Sequence, residues 1–140
     1  MKTFVMIKPD HVKYADEILN LLDQYGTRII HREVSVPKEI IENHYSVHKG
    51  KPFYQRLINS FLDKNVVIAV YEGENITNKF REVIGATEPS KADRNSIRGK
   101  YSNDTIDKAV AENRSLRNVI HASDSSNEAE REIEVWNSYL

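Results

Sequence analysis

The stretch "VVIAVY", residues 66–71, is the most strand-like run of the chain and limits how the rest can be arranged. Its apolar residues are continuous rather than alternating, which is typical of a strand that is covered on both faces. Such a strand lies inside a sheet, so we expect other strands beside it and helices packed against the sheet. Residues 66–71 therefore predict a central strand.

Shorter runs on either side supply the other elements. The stretch "TFVMI" at residues 3–7 predicts a buried strand, and "RIIHREVSV" at residues 28–36 is rich in β-forming residues. Helical spacing predicts four helices before residue 86: one that ends at Gly26, two that begin at Pro37 and Pro52, and one over residues 76–84 that ends at Gly85. This order predicts a small sheet with helices packed on it.

The stretch from residue 86 to residue 118 loses this regularity. It is rich in turn-forming and charged residues and predicts a long surface loop, with a short helix over residues 105–114. The two ends of this long loop lie next to candidate site residues in the sequence. Its middle is polar, so we expect that part to project into solvent or toward a partner.

The composition narrows the class of protein. The chain of 140 residues is long enough for a real core, and we expect a single domain over residues 1–140. Lys and Arg (20) nearly balance Asp and Glu (21), so no overall basic field favours nucleic acid or a membrane. The chain has no cysteine for a disulfide or a thiolate zinc site, and its N-terminus has neither a signal pattern nor a spanning segment. We expect a cytoplasmic protein that binds anions at a local cluster of residues and not through its overall charge.

The stretch "RNVIHASDSSNEAEREIEVW", residues 117–136, places a histidine next to such a local site. Ser125 and Glu128 have the spacing of a capping box, so a helix begins near Asp124 or Ser125. His121 then lies just outside the N-terminus of this helix, where free N–H groups and the helix dipole favour an anion. A neutral imidazole there can attack the phosphorus atom of a bound phosphate. The alternative is a histidine that is satisfied in the core or caps the helix.

Six motifs give the chain a resemblance to a known family. They are "IKPD" (7–10), "HYSVHKGKPF" (44–53), "GATEPSKAD" (85–93), "SIRG" (96–99), "NVIHASDS" (118–125) and "EAEREIEVW" (128–136). In this order they resemble nucleoside diphosphate kinases, and an extended loop at residues 100–117 falls outside the match. The resemblance implies an α/β (α+β) fold: a ferredoxin-like βαββαβ core with an antiparallel four-stranded sheet and added helices. It also implies ping-pong transfer of a γ-phosphate from a nucleoside triphosphate to a nucleoside diphosphate through phosphorylated His121.

Three cations are the candidates to hold phosphates, because phosphoryl transfer needs cations and donors around the equatorial oxygens. Lys8 follows an apolar strand, where a charge is costly unless it emerges into a site, and Arg98 lies in a Ser-Ile-Arg-Gly turn. The resemblance implies that Lys8 contacts the sugar hydroxyl and the γ-phosphate. It also assigns phosphate binding to Arg81, Thr87 and Arg98. For Arg81, on a charged helix face, a solvated charge is the alternative.

Residues 44–53 supply a different kind of group. An aromatic ring at Phe53 can stack on a base without reading its identity. The resemblance assigns base stacking to Phe53, phosphate binding to His48 and a steadying hydroxyl to Tyr45; alternatively, Phe53 begins a stripe of core residues. His44 and His48 have the i, i+4 spacing of a metal pair, but no third ligand accompanies them in the sequence, and we reject a zinc site.

Ser123 and Glu132 are the candidates to orient His121. Glu132 lies two turns into the last helix and can fold back to favour the cationic imidazole, while Ser123 offers a hydroxyl at the reacting edge. The alternative for Glu132 is an ordinary exposed charge. The resemblance implies that Asn118 reaches the ribose 3′ hydroxyl and that the δ nitrogen of His121 attacks. Mg²⁺ is expected on the nucleotide phosphates, with a water-mediated contact at Asp124.

Two departures from the family pattern affect substrate preference and assembly. His11 stands where the family has a small residue, and residues 100–117 are longer than the family pattern and replace a Val-Gly pair before Asn118. These positions approach the base and sugar, so the sequence leaves the nucleotide preference open. We expect a homo-oligomer of unspecified order that uses nucleoside tri- and diphosphates, with no membrane or nucleic-acid partner. A non-catalytic nucleotide- or RNA-binding relative and a structural interaction domain are the alternative classes.

Overall fold

The sheet is built from four strands whose neighbours all run antiparallel. In a computed structural model that describes all 140 residues, the strands are β1 (Lys2–Ile7), β2 (Thr27–Ser35), β3 (Asn65–Glu72) and β4 (Ile120–Ala122). They lie in the order β2-β3-β1-β4. The run at residues 66–71 falls within β3, which pairs with β2 on one side and β1 on the other. The predicted central strand is confirmed.

Seven α-helices connect and cover these strands. They are α1 (Ala15–Leu22), α2 (Lys38–His44), α3 (Tyr54–Asn59), α4 (Ile76–Ile84), α5 (Ile97–Tyr101), α6 (Ile106–Ala111) and α7 (Ser126–Val135). The order β1-α1-β2-β3-α4-β4 is the βαββαβ core of a ferredoxin-like fold, to which α2, α3, α5, α6 and α7 are added. None of the helices has the length and apolar character needed to cross a membrane.

Opposite faces of the sheet carry two separate cores. On one face, Val67, Ala69 and Tyr71 of β3 pack with residues of α1 and α4. On the other face, the alternating residues of β3 pack with residues of α2 and α3 and with Trp136, which directly follows α7. Because both faces of β3 are covered, its sequence is continuously apolar. The expected helix end at Gly26 is wrong, since α1 ends at Leu22 and tight turns follow it.

The segment at residues 100–117 contains the expected short helix between stretches of irregular chain, whereas the helix α5 that leads into it was not predicted. The chain leaves α5 at Tyr101, forms the predicted short helix as α6, and returns to β4. Buried Asp104 accepts hydrogen bonds from the Arg114 guanidinium at 2.7 and 2.9 Å and from the Arg117 backbone N–H at 2.9 Å. The hydrogen bonds from Arg114 hold the pKa of Asp104 well below its usual range. The two ends of α6 are therefore clamped together.

Candidate active site

His121 and Lys8 come from neighbouring strands. His121 is the middle residue of β4 and lies opposite Met6 of β1. Lys8 directly follows β1, and its backbone N–H donates to the carbonyl of Val119 at 2.9 Å. The antiparallel pairing of β1 and β4 thus brings together two residues that are far apart in sequence.

A buried carboxylate binds the ε nitrogen of His121. Glu132 Oε1 lies 2.8 Å from His121 Nε2 and accepts the hydroxyl of Ser123 at 2.7 Å. The Ser123 hydroxyl oxygen in turn accepts the backbone N–H of Phe4 at 3.3 Å, which ties this group to β1. The alternative of an exposed Glu132 is wrong, because the residue is only 3% exposed. With the Nε2 proton directed at Glu132, the lone pair of a neutral His121 ring is on Nδ1.

The charge state of His121 differs from the expectation drawn from Glu132. Burial, followed by the charges of Lys8 and Arg98, lowers the pKa of His121 to about 3. Glu132 was expected to favour the cationic form, but burial and two nearby cations favour the neutral form instead, which is the form expected of an attacking imidazole. Burial also raises the pKa of Glu132. The ring is neutral near neutral pH, the form that a nucleophile requires.

Lys8 is held by an amide. Its ammonium donates to Asn118 Oδ1 at 2.5 Å, and Asn118 Nδ2 donates to the carbonyl of Thr87 at 3.2 Å. Burial, followed by repulsion from Arg98, lowers the pKa of Lys8 to about 7. The cation is thus poorly solvated, so an incoming phosphate would interact with it strongly.

Arg98 joins three backbone segments as well as supplying charge. Its Nε donates to the Asn118 carbonyl at 3.0 Å, and its two terminal nitrogens donate to the Gly85 carbonyl at 3.0 Å and the Ile120 carbonyl at 2.7 Å. Two of its five N–H groups stay available. Burial lowers the pKa of Arg98 to about 10, which still leaves it charged at neutral pH. The sequence analysis predicted Arg98 as a cation that binds phosphate, but it did not predict the hydrogen bonds from Arg98 to the three carbonyls.

Unusual backbone conformations create these contacts. Gly85 has φ +93°, and a Cβ there would lie 2.5 Å from the Ser96 Oγ. Val119 has φ +76°, and the N–H of Ile120 donates to the Asn118 carbonyl at 2.8 Å across it, which forms a strained γ-turn. A β-branched residue in this conformation costs on the order of 1–3 kcal/mol and is typical of functional sites.

The outer end of the site has a more exposed ion pair. Arg81 near the end of α4 contacts the carboxylate of Asp124, and their side chains are 49% and 76% exposed. Buried Tyr45 places its ring edge-on to His121, with 5.9 Å between centroids. Next to it, the ring of His48 lies 5.2 Å from that of Phe53. Phe53 packs on the core and lines the cleft, so both interpretations of this residue describe part of its surroundings.

One cleft of about 690 Å³ contains nearly the whole predicted set. Ten of the eleven predicted site residues line it: Lys8, Tyr45, His48, Phe53, Arg81, Thr87, Arg98, Asn118, His121 and Glu132. Ser123 lies behind Glu132. The outer part of the cleft also has an apolar lining that includes Val47, Leu57, Ile106, Ala109 and Val110. Part of the middle of segment 100–117 therefore lines the cleft, which the sequence analysis did not predict, while Ile106 and Val110 are also exposed to solvent.

His44 is the residue that the sequence analysis misplaced. It was paired with His48, yet the structure brings it to His121 and Glu132, with one potential ligand atom of each within 4.8 Å of the others. The sequence analysis compared His44 only with residues at ligand spacing along the chain, so it did not predict this group. The available signal was the helical spacing of Glu132 and Trp136, which puts both on the face of α7 that meets His44.

A neutral histidine among buried cations, at the inner end of a nucleotide-sized cleft on a ferredoxin-like sheet, defines the class as an enzyme that transfers phosphoryl groups. The chain belongs to the nucleoside diphosphate kinase family, whose model matches residues 1–139. It is a kinase that transfers the γ-phosphate of a nucleoside triphosphate to a nucleoside diphosphate.

Relatives agree in sequence and in structure. The chain is 39% identical over 138 residues to a nucleoside diphosphate kinase of Staphylococcus epidermidis, covering 96% of this chain and 86% of the relative. A Staphylococcus aureus enzyme is 40% identical with the same coverage. A Borrelia burgdorferi structure described as a transition state mimic with bound vanadate and ADP superposes with a TM-score of 0.91 at 27% identity, covering 97% of this chain and 86% of the other. A Pyrobaculum aerophilum enzyme gives 0.89 at 27% identity, covering 96% and 94%.

Proposed function

We propose that Nδ1 of His121 carries the phosphoryl group between two nucleotides that occupy the cleft in turn. The observation that supports this most is the 2.8 Å contact between His121 Nε2 and the buried Glu132. The Nδ1 lone pair forms the N–P bond while the bond from phosphorus to the bridging β-phosphate oxygen breaks. The proton stays on Nε2 and remains hydrogen-bonded to Glu132. The diphosphate leaves, an acceptor diphosphate enters, and its terminal oxygen takes the phosphoryl group.

Different cations and hydrogen-bond donors would bind different phosphate groups of the nucleotide. Lys8 and the free N–H groups of Arg98 are next to His121 and would stabilise charge on the transferred group. Arg81, Thr87 and His48 line the same cleft and would hold the remaining phosphates. Mg²⁺ neutralises phosphate charge when bound, and the residues fit a metal carried by the nucleotide: Glu132 is already bonded, while the exposed carboxylate of Asp124 could contact the ion through water.

The outer part of the cleft suits a sugar and a base. Asn118 and Lys8 would bind the ribose 3′ hydroxyl, and the ring of Phe53 would stack on the base. The apolar side of α6, with Ile106 and Val110, would form part of the opposite wall.

Assembly and location are inferred from other features. We infer that the chain self-associates through the exposed edge of β2, which has an unpaired row of backbone groups and an exposed Ile29. Light scattering of the full chain tests this, and a monomeric mass at working concentration would contradict it. A cytoplasmic location stays a prediction from the cysteine-free composition.

Labelling with γ-labelled ATP and Mg²⁺ tests the proposed function. The wild-type chain should gain an acid-labile, alkali-stable label, as expected for a phosphohistidine, and His121→Ala should gain none. The matched control is His31→Ala, on β2, whose labelling should equal that of the wild type. Label on His121→Ala would contradict the assigned nucleophile. No label on the folded wild-type chain would favour a nucleotide-binding relative without catalysis.

A further inference from the structure

His44 contacts the nucleophile but has none of the roles assigned above. It is the last residue of α2 and is 2% exposed. Its ring is 4.5 Å from that of His121, centroid to centroid, and the planes meet at 80°. On another side, the indole N–H of Trp136 donates to Nδ1 of His44 at 3.0 Å.

The contact with Trp136 determines the tautomer of His44. An indole nitrogen is only a donor, so Nδ1 of His44 must accept, and the proton of the neutral ring is on Nε2. Burial is the main cause that lowers the pKa of His44 well below its usual value. The charged groups that act on it from the surrounding elements are Glu132, Arg131 and Lys8. Its Nε2 is buried and has no hydrogen-bond partner.

This unpaired nitrogen needs an explanation. A buried N–H without a partner loses its hydrogen bond to water with no replacement, so packing alone does not favour an imidazole at this position. Because Trp136 occupies Nδ1 of His44, Nε2–H is the only ring N–H left free, and the ring of His121 stands nearly perpendicular to that of His44. A ring face is electron-rich and accepts such an edge weakly.

We propose that His44 is a positioning residue for phosphoryl transfer, with a tautomer that Trp136 fixes and an Nε2–H edge that holds the ring plane of His121. The hydrogen bond to Glu132 fixes His121 at one atom only, so the ring could still tilt about that contact. An edge set against its face removes this freedom and keeps Nδ1 aimed at the incoming phosphorus. Misplacement of about 1 Å can cost on the order of a hundredfold in rate. The proposal rests on the role of His121 given above.

Two substitutions separate the two nitrogens. The amide oxygen of His44→Asn falls near the place of Nδ1 and can still accept from Trp136, but the variant lacks the Nε2–H edge. The longer His44→Gln can place an N–H near Nε2. We expect His44→Asn to lower the single-turnover rate of His121 phosphorylation about tenfold or more with little change in the KM for ATP, and His44→Gln to recover most of that loss. The core control is Ile41→Val, also buried on α2, which should leave the rate unchanged.

The outcomes are distinguishable. An unchanged rate in folded His44→Asn overturns the proposal, as do equal losses in both variants that follow their melting temperatures, since these show a packing role only. The ¹⁵N spectrum of histidine-labelled wild-type chain needs no variant: we expect His44 to be protonated at Nε2 and not to titrate near neutral pH. Protonation at Nδ1 overturns the proposal. In every one of these cases the wild-type chain still forms phosphohistidine, whereas failure of the proposed function would abolish that label itself.

Discussion

Replacing Glu132 by glutamine tests the hydrogen bond that orients the nucleophile. One oxygen of Glu132 accepts from His121 at 2.8 Å and from Ser123 at 2.7 Å, and the residue is buried. A glutamine oxygen can keep both contacts but loses the charge, which makes such bonds roughly twice as strong as neutral ones. The expected loss is about 1.5 kcal/mol of transition-state stabilisation, or about tenfold in rate. Glu132→Ala also leaves the Nε2–H unpaired, so we expect a loss nearer a hundredfold, about 3 kcal/mol.

The assay is rapid-quench labelling of His121 with saturating Mg-ATP in a single turnover. The control is Glu130→Gln, on the same helix with an exposed side chain, which should match the wild type. The KM for ATP should change little in either Glu132 variant, because the carboxylate is already bonded to His121 and Ser123 and has no assigned role in holding the nucleotide. Rates within about twofold of wild type for both Glu132 variants would refute the reasoning, since the bond would then contribute nothing to the transition state.

Four further predictions concern the cations and segment 100–117. Lys8→Ala and Arg98→Ala should each cost about 3 kcal/mol of transition-state stabilisation in phosphoryl transfer, far more than Lys13→Ala at an exposed residue. Arg98→Ala should also lower the melting temperature, because three carbonyls lose their donor. Equal small effects on rate in all three variants would mean that the pocket is misplaced. The kcat/KM for ATP should fall as pH rises through about 7, where free Lys8 loses its proton, and a profile that stays flat there contradicts this. Stability should depend on pH in the opposite direction. Between pH about 7 and the usual pKa of 10.5, the unfolded chain binds the Lys8 proton and the folded chain does not, so the contribution of this group to the free energy of unfolding should rise with pH. Denaturant titrations at several pH values can check this. Replacing residues 105–113 with a short Gly-Ser link should spare phosphorylation of His121, because Asp104 and Arg114 already hold the two ends together. It should change the relative kcat/KM for purine and pyrimidine diphosphates, or the mass measured by light scattering. A folded variant that cannot be phosphorylated would place the segment in the catalytic machinery.

Local signals in the sequence were sufficient where the structure depends on local bonds. The Ser125 hydroxyl accepts the N–H of Glu128 at 3.1 Å, so α7 begins where the capping residues place it. The second bond of a full capping box is replaced, because the Glu128 carboxylate accepts from Arg131 at 2.9 Å instead. Strands β1, β2 and β3 were likewise predicted from their apolar or β-forming residues, and most helices from their period and their terminal residues.

Contacts over long sequence distances could not be predicted in this way. His44 binds Trp136, 92 residues further along the chain; the helical spacing puts Glu132 and Trp136 on one face, but nothing local shows that this face meets His44. Arg98 reaches its carbonyls because Val119 adopts a left-handed conformation that its residue type disfavours. The folded state of segment 100–117 depends on the buried pair of Asp104 and Arg114, two charges that look like ordinary surface residues in the sequence.

The covalent intermediate can be tested without any variant. The chain is incubated with γ-labelled ATP and Mg²⁺, freed of nucleotide, and then mixed with unlabelled GDP alone. Transfer through His121 predicts that the label leaves the protein and appears as GTP, one phosphoryl group for each group lost. Label that stays on the protein, or GTP that forms only when ATP is present at the same time, would contradict transfer through a phosphohistidine.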